Sequence, residues 1–306
     1  MKASAKFDFE DERFNAPPSQ VIPWCQMINP RYNDDGVQSH GLAVKLDNAQ
    51  SVGFTPDSNW QKVEHEFTSG IETVYLSATP RVVIVRRGPL SVKDRETGVK
   101  LGTLRDNYEA FLADKLKFKT FTRYLVFLVD ENQKFLHESP LQLTLHGAAG
   151  ASFSKTYCEY QQGRPSGGFV IELERAYANF RQQPIMPKGA LFHAHGIFCP
   201  IIESEERGIH PNIVLVASTT NYKHPTPTTL TQYLIASDSP ESAIITRIFE
   251  DYKEFGKEQP RTENNGNSGN NGSNGNNGNN NKMAMAGVAN SSYVYADEDD
   301  FAYPPY

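Results

Sequence analysis

A tract built only of Asn, Gly and Ser, residues 264–281, most constrains how this chain folds. It has no apolar side chain to bury, so we expect a flexible coil there. The folded part must therefore precede it, and a Gly-containing stretch near 147–168 marks a candidate subdivision within that part. The expected parts are an extended arm at 1–20, a globular body at 21–258, a disordered linker at 259–290 and a tip at 291–306.

Short apolar segments with strand character fill most of the body. Val82–Val85 is β-branched throughout, Phe121–Val129 is apolar and aromatic, and Leu141–Leu145 alternates between apolar and polar residues. Helical spacing is confined to a few segments such as Leu104–Leu116. The pattern predicts a β-rich α+β fold with a disordered C-terminal tail, in which one or two small barrel-like sheets, with the OB fold as one candidate, carry a few helices.

Cysteine usage and hydropathy bear on where the chain works. Its three cysteines, Cys25, Cys158 and Cys199, lie far apart and form no CxxC pair, which favours a reducing compartment. The first residues contain no apolar stretch typical of a secretory signal, and no apolar run reaches about 18 residues. We therefore expect a cytoplasmic protein that does not contact membranes.

The net charge of −6 is unevenly distributed. Residues 81–123 contain eleven Lys or Arg against five Asp or Glu, although the whole chain is acidic. Binding of single strands requires cations that follow the phosphates and exposed rings that stack on bases. The candidate nucleic-acid-binding residues are Arg81, Arg86, Arg87, Lys93, Arg95, Lys100, Lys117, Lys119, Phe121 and Arg123, with Phe118 and Tyr124 as further rings expected to be exposed. A buried aromatic strand with a solvated rim of lysines has the same sequence pattern and stays an open alternative.

The segment His193-Ala194-His195, followed by Cys199, is the candidate for metal binding. Two histidines that are two residues apart on a strand point to the same side, as a metal pair requires, and Cys199 could add a thiolate. A hydrogen-bonded histidine cluster has the same sequence, and no HExxH motif accompanies the pair. We therefore expect no metal and no other cofactor, and keep His193 and His195 only as weak candidates.

The tip joins acidic and aromatic residues at the end of the linker: Asp297, Glu298, Asp299 and Asp300 directly precede Phe301. This layout of body, Asn/Gly linker and acidic-aromatic tip resembles the single-stranded-DNA-binding proteins of bacteria and phages. In that family the tip recruits replication and repair proteins and competes with DNA, so the resemblance implies these roles for Asp297–Phe301. The body is also similar to an uncharacterised cyanobacterial family through Phe7–Asp11 and Ile22–Gln26, which implies no activity.

Three hypotheses follow from these observations. In the first, the chain is a non-enzymatic protein that binds single-stranded DNA or RNA and docks partner proteins through its tail. In the second, it is a protein-interaction or assembly module that binds no nucleic acid. The third, with the weakest support, is a metal-dependent hydrolase. The sequence leaves open whether the chain forms a homo-oligomer.

Overall fold

The computed structural model describes residues 22–257, except 31, 34–35, 38, 68–69, 162–163, 209–210 and 212, so the expected arm, linker and tip lie outside the described residues. The described part is a strand-rich α+β fold. Its helices are α1 Leu46–Ser51, α2 Tyr108–Ala113, α3 Gly147–Tyr157, α4 Phe169–Phe180, α5 Ala190–His193 and α6 Pro240–Asp251. Its strands are β1 Trp24–Ile28, β2 Tyr32–Asn33, β3 Gly36–Val37, β4 Gly41–Lys45, β5 Gln61–Phe67, β6 Gly70–Ser77, β7 Val82–Arg87, β8 Ser91–Asp94, β9 Lys100–Thr103, β10 Phe118–Leu128, β11 Leu141–His146, β12 Glu159–Gln161, β13 Arg164–Gly167, β14 Ile197–Phe198, β15 Pro200–Arg207 and β16 Val214–Tyr222.

One ten-stranded sheet forms the centre of the fold. Its main path runs β14-β7-β10-β11-β1-β4-β6-β5, and β8 and β9 extend it beside the first half of β10. All neighbours pair antiparallel except β1 and β11, where Trp24 lies opposite Gln142 in a parallel pair. Across the described residues no pairing joins β14 to β5, so the sheet is open and the expectation of barrel-like sheets is wrong. Its two end strands do not pair with each other, and helices pack on its faces.

The strands β7 and β8 follow each other along the same edge of β10. Between them, Gly88 still donates its backbone N–H to the carbonyl of Arg123 at 2.8 Å. Pro89 has no N–H to continue the ladder. This interruption separates the core part of the sheet from a three-stranded extension made of β9, β8 and the first residues of β10.

Alternation along β10 gives the sheet two different faces. On one face the ring of Tyr124 meets Phe153 of α3 at 5.2 Å, in the main hydrophobic core. On the other face Arg123 lies 5.9 Å from the ring of Phe255, in the turn that follows α6. We call the face that carries Arg123 the outer face.

Of two local predictions, one strand is confirmed in full and one helix in part. The alternation predicted for Leu141–Leu145 is confirmed, because the residues of β11 are buried and half-buried in turn. The helix predicted over Leu104–Leu116 is confirmed only for α2. Ahead of it, the Thr103 hydroxyl donates to the Asp106 carboxylate at 2.6 Å in a turn that delays the helix start.

Candidate nucleic-acid interface

Arg86 and Arg87 are neighbours in sequence but lie on opposite faces of β7. Arg86 is on the outer face, where its Nε donates to the carbonyl of Phe249 at 2.8 Å and its Nη2 donates to the same oxygen. Its guanidinium also lies 3.4 Å from the centre of the Phe249 ring. Arg87 is on the core face, and its Nη2 donates to the hydroxyl of Ser154 in α3 at 2.6 Å. Each arginine therefore ties the sheet to a different helix.

The other three predicted arginines donate to backbone carbonyls, as Arg86 does. Arg81 donates through Nε to Asp130 at 3.1 Å and through Nη2 to Gln232 at 2.9 Å. Arg95 donates to Phe118 at 2.8 Å. Arg123, which is 7% exposed, donates to Gly256 at 3.3 Å. All five arginines of the candidate set thus hold parts of the fold together, which contiguity in sequence did not indicate.

The aromatic rings expected to be exposed are buried. Phe118 is 9% exposed, Phe121 is 3% exposed and Tyr124 is fully buried. Phe118 belongs to a small core with Val92 of β8, whereas Tyr124 belongs to the main core. The expectation of exposed rings is therefore wrong: β10 is covered on both faces, so its aromatic residues are used for packing.

Three lysines of the candidate set lie in one row across the extension. Lys93 on β8 is directly opposite Lys119 on β10 and directly opposite Lys100 on β9. Lys119 shares the outer face with Phe121 and Arg123 because it lies two and four residues before them on the same strand. Neighbouring strands are about 4.8 Å apart, so the row crosses about 10 Å of the sheet. We call Lys93, Lys100 and Lys119 the lysine row.

The lowered pKa values of Lys93 and His146 indicate burial together with a positive potential around the row. Burial lowers the pKa of Lys93, and the charge of Lys100 lowers it further. The pKa of His146 on β11 is lowered to about 4, first by burial and then by the charges of Lys93 and Lys119, while a hydrogen bond to the backbone of Thr120 acts in the opposite direction. His146 lies opposite Phe121, and its ring is 5.8 Å from the Phe121 ring. It is therefore neutral at pH 7 beside two cations.

Two further positive groups lie near the lysine row: the N-terminal end of α3 and Lys117. α3 starts directly after His146, so the positive end of its dipole lies at the same edge of the sheet. Lys117 is exposed, and its ammonium lies 5.6 Å from the Phe118 ring. Sequence reasoning missed His146, although the alternation of β11 already placed its side chain on the polar face with Thr144.

The end of the described chain lies at the base of this extension. A Cβ on Gly256 would lie 2.7 Å from the Cα of Gly88, and Gly256 has a φ of +80°, so glycine is required there. This contact brings Lys257, the last described residue, next to the junction of β7 and β8. The candidate partner-binding residues Asp297, Glu298, Asp299, Asp300 and Phe301 lie outside the described residues.

The two metal candidates are separated by the local structure. His193 ends the short helix α5 instead of lying on a strand, and its Nε2 is 2.7 Å from an oxygen of buried Glu174. His195 contacts the carbonyl of Leu191 at 2.8 Å and the hydroxyl of Ser242 at 2.9 Å. The expected strand face was wrong here because helical turns direct residues two apart to different sides. No cluster of His, Cys, Asp and Glu in the described part of the chain could hold a metal ion.

No helix among the described residues has the length and apolarity needed to cross a membrane.

Comparisons with known proteins place the chain in one family. Neither the curated proteins nor the solved structures contain a match to the chain. One family model covers residues 19–268, which is most of the sequence. The chain therefore belongs to the family described as "Domain of unknown function (DUF5895)".

Proposed function

We propose that this protein binds single-stranded nucleic acid, DNA or RNA, through the phosphate backbone at the lysine row. The observation that carries the proposal is the alignment of Lys100, Lys93 and Lys119 across three neighbouring strands. Cations that follow phosphates supply most of the sequence-independent affinity for nucleic acids. A row of about two strand spacings is long enough to contact neighbouring phosphates of one sugar-phosphate strand.

Repulsion within the row gives a physical reason to bind an anion. Burial and then the charge of Lys100 lower the pKa of Lys93, and burial and then the charges of Lys93 and Lys119 lower the pKa of His146. A phosphate between these side chains would place a negative charge next to each ammonium group and so relieve the repulsion between them. Since the rings of β10 are buried, the binding we propose depends on charge and not on stacking, and it is independent of base sequence.

The tail has a separate role in this proposal. Its acidic residues and Phe301 have the chemistry of a peptide that binds a basic, apolar surface. We assign to Asp297–Phe301 the docking of partner proteins, of the replication or repair type that the resemblance implies. The lysine row and the tip then act on different partners, one a polyanion and the other a protein.

The test is fluorescence anisotropy with a labelled oligo(dT) and the full chain. The row variant Lys93→Gln/Lys100→Gln/Lys119→Gln is compared with Lys62→Gln/Lys155→Gln/Lys223→Gln, which removes the same charge from exposed positions elsewhere. We expect the row variant to lose affinity by about tenfold or more at ~0.1 M salt, and the control to change by less than about twofold. Equal losses in both variants, or no binding by the wild type, would contradict the proposal.

A second candidate function, an assembly module that binds no nucleic acid, is favoured by a different observation. Phe180, Ile185 and Met186 are large apolar side chains that lie exposed at the end of α4 and in the loop after it. Exposed apolar groups concentrated in one loop are typical of protein interaction sites. If the chain binds neither oligo(dT) nor oligo(U), this function replaces the first one.

A further inference from the structure

The last residue of α4 and the loop between α4 and α5 present apolar side chains from an anchored backbone. Phe180 and Ile185 are each 56% exposed, and Met186 is 67% exposed. The loop is fixed at its start by Gln183, which donates its N–H to the carbonyl of Ala178 at 2.9 Å. Buried Glu174 fixes its end by accepting the N–H of Lys188 at 3.0 Å. The backbone of the loop is therefore held in place at the surface, and the cost of ordering it on binding is small.

Two cations near the ends of this loop both lie close to the Tyr177 ring of α4. The guanidinium of Arg181 lies 5.7 Å from the centre of the Tyr177 ring, and the ammonium of Lys188 lies 5.3 Å from it. Residues 175–191 contain a further cation, Arg175, and no Asp or Glu. We call Phe180, Arg181, Ile185, Met186 and Lys188 the α4–α5 patch; it is basic and apolar at the same time.

We infer that the α4–α5 patch binds the C-terminal segment of this same chain, residues 291–306. That segment has the complementary composition: four acids at 297–300, aromatic residues on both sides of them, and no cation after Lys282. The acids match Arg181 and Lys188, and the Phe and Tyr rings match the exposed apolar side chains. Burial of these rings against the apolar side chains favours binding, and the charges fix the orientation.

The tail is long enough to reach the patch. His195, just after α5, contacts Ser242 in the first turn of α6, and the tail follows the other end of that helix. A helix of 12 residues is about 18 Å long. Residues 258–296 number 39, and a chain of that length can extend over at most about 130 Å. The segment can therefore reach the α4–α5 patch from its own body.

The lysine row is a poorer acceptor for this segment. Its three side chains supply charge, but the rings next to it, Phe118 and Phe121, are buried. The row can bind the acids of the tip, but these two rings are not open to contact with Phe301. Docking at the α4–α5 patch leaves the row open to nucleic acid and conceals the tip until a partner protein displaces it. This inference does not depend on nucleic-acid binding.

The experiment measures binding of a fluorescent peptide of residues 291–306 to full chains whose own acids are neutralised by Asp297→Asn/Glu298→Gln/Asp299→Asn/Asp300→Asn. In this background we expect Arg181→Glu/Lys188→Glu to weaken peptide binding by about tenfold or more, since two attractions become repulsions. Ile185→Ser/Met186→Ser, which changes two exposed side chains, should weaken it by about fivefold or more. A peptide with Asp297→Lys/Asp299→Lys should regain affinity for the charge-reversed patch.

Two controls make the outcome decisive. Lys62→Glu/Lys223→Glu introduces the same charge at exposed positions elsewhere and should change peptide binding by less than about twofold. Circular dichroism checks that each variant is folded. The inference is overturned if the peptide does not bind, if the control weakens binding as much as the patch variant, or if only Lys93→Gln/Lys100→Gln/Lys119→Gln weakens it. No nucleic acid is present, so these results are separate from those of the oligonucleotide assay.

Discussion

The arginines and the lysines of residues 81–123 have different roles, although the sequence presents them as one basic stretch. Arg86 and Arg87 bind α6 and α3 from opposite faces of β7, and Arg81 joins the carbonyls of Asp130 and Gln232. The lysine row instead lies on strands of the extension, where each lysine adds to the charge of the next. One set of cations stabilises the fold, and the other creates a positive surface.

The difference follows from the chemistry of the two side chains. A guanidinium carries five donors in a plane and is weakly hydrated, so it can satisfy several carbonyls in a partly buried site. An ammonium is a compact, strongly hydrated charge that is less costly to leave near water. A basic stretch in a sequence therefore predicts a positive surface only from the residues that remain after the arginines that bind backbone carbonyls are excluded.

The largest effect that tests this comparison is expected at Arg86. Arg86→Ala should lower the free energy of unfolding by about 2–3 kcal/mol, because the carbonyl of Phe249 loses its charged donors and the ring loses its cation. Urea unfolding followed by circular dichroism measures the change. The control Lys62→Ala, at an exposed position, should cost less than about 0.5 kcal/mol. Equal costs in the two variants would show that Arg86 does not secure α6.

The next largest effect is expected at the close contact between Gly256 and Gly88, near the end of the described residues. Gly256→Ala should cost about 1–2 kcal/mol, because its Cβ meets Gly88 and its φ of +80° disfavours any other residue. Hydrogen exchange of residues 252–256 should become faster. Gly189→Ala is the matched control, since Gly189 has a φ of −81° and no atom within 4 Å of the added Cβ. Unchanged exchange in Gly256→Ala would refute the close contact.

The histidines test the positive potential with a smaller effect. In Lys93→Gln/Lys119→Gln the pKa of His146 should rise from about 4 by about half a unit or more and stay below 6.5, because burial, its largest cause, persists. NMR titration of the ring signals measures this pKa. His137 is the internal control: its pKa is also lowered to about 4, but by burial without a contribution from lysine, so it should not move.

The same shift has a consequence for stability. The pKa of His146 is lower in the folded chain than in the unfolded chain, so the unfolded chain binds more protons between pH 6.5 and 4. Stability contributed by neutral His146 is present above pH 6.5 and is lost as the pH falls toward 4. In the two-lysine variant this loss should be smaller. An identical pH dependence of unfolding in wild type and variant would contradict the coupling.

The smallest effect is expected for the stability of the row itself. Lys93→Gln/Lys100→Gln/Lys119→Gln should change the free energy of unfolding by less than about 0.5 kcal/mol, since the loss of packing is offset by reduced repulsion. The urea series used for Arg86 provides the measurement. A cost as large as that of Arg86→Ala would mean that the lysines are structural, and the contrast between the two sets would fail.

The sequence predicts local features of this fold better than its long-range ones. The alternation of Leu141–Leu145 was sufficient to place β11, because each residue reports its own face. The order of the strands in the sheet depends on long-range pairs such as Trp24 with Gln142, which no local pattern specifies. The helical position of His193 was equally inaccessible, since four residues cannot distinguish a period of 2 from one of 3.6.

The candidate site shows the same limit. Alternation assigns Arg86 and Arg87 to opposite faces, but the role of each depends on α6 and α3, which are distant in sequence. The row of lysines depends on the register of β8 against β9 and β10, including an irregularity between Val92 and Lys93. A single-residue slip would place Lys93 on the other face. Composition alone could indicate a basic region but not which of its residues share a surface.

The salt dependence of nucleic-acid binding tests the central claim most directly. For oligo(dT) binding to the full chain, three phosphate contacts predict a slope of about −2 for the logarithm of the association constant against the logarithm of salt concentration. In Lys93→Gln/Lys100→Gln/Lys119→Gln the slope should approach zero, whereas Lys62→Gln/Lys155→Gln/Lys223→Gln should keep it. The same slope in all three proteins would show that the lysine row does not contact the phosphates.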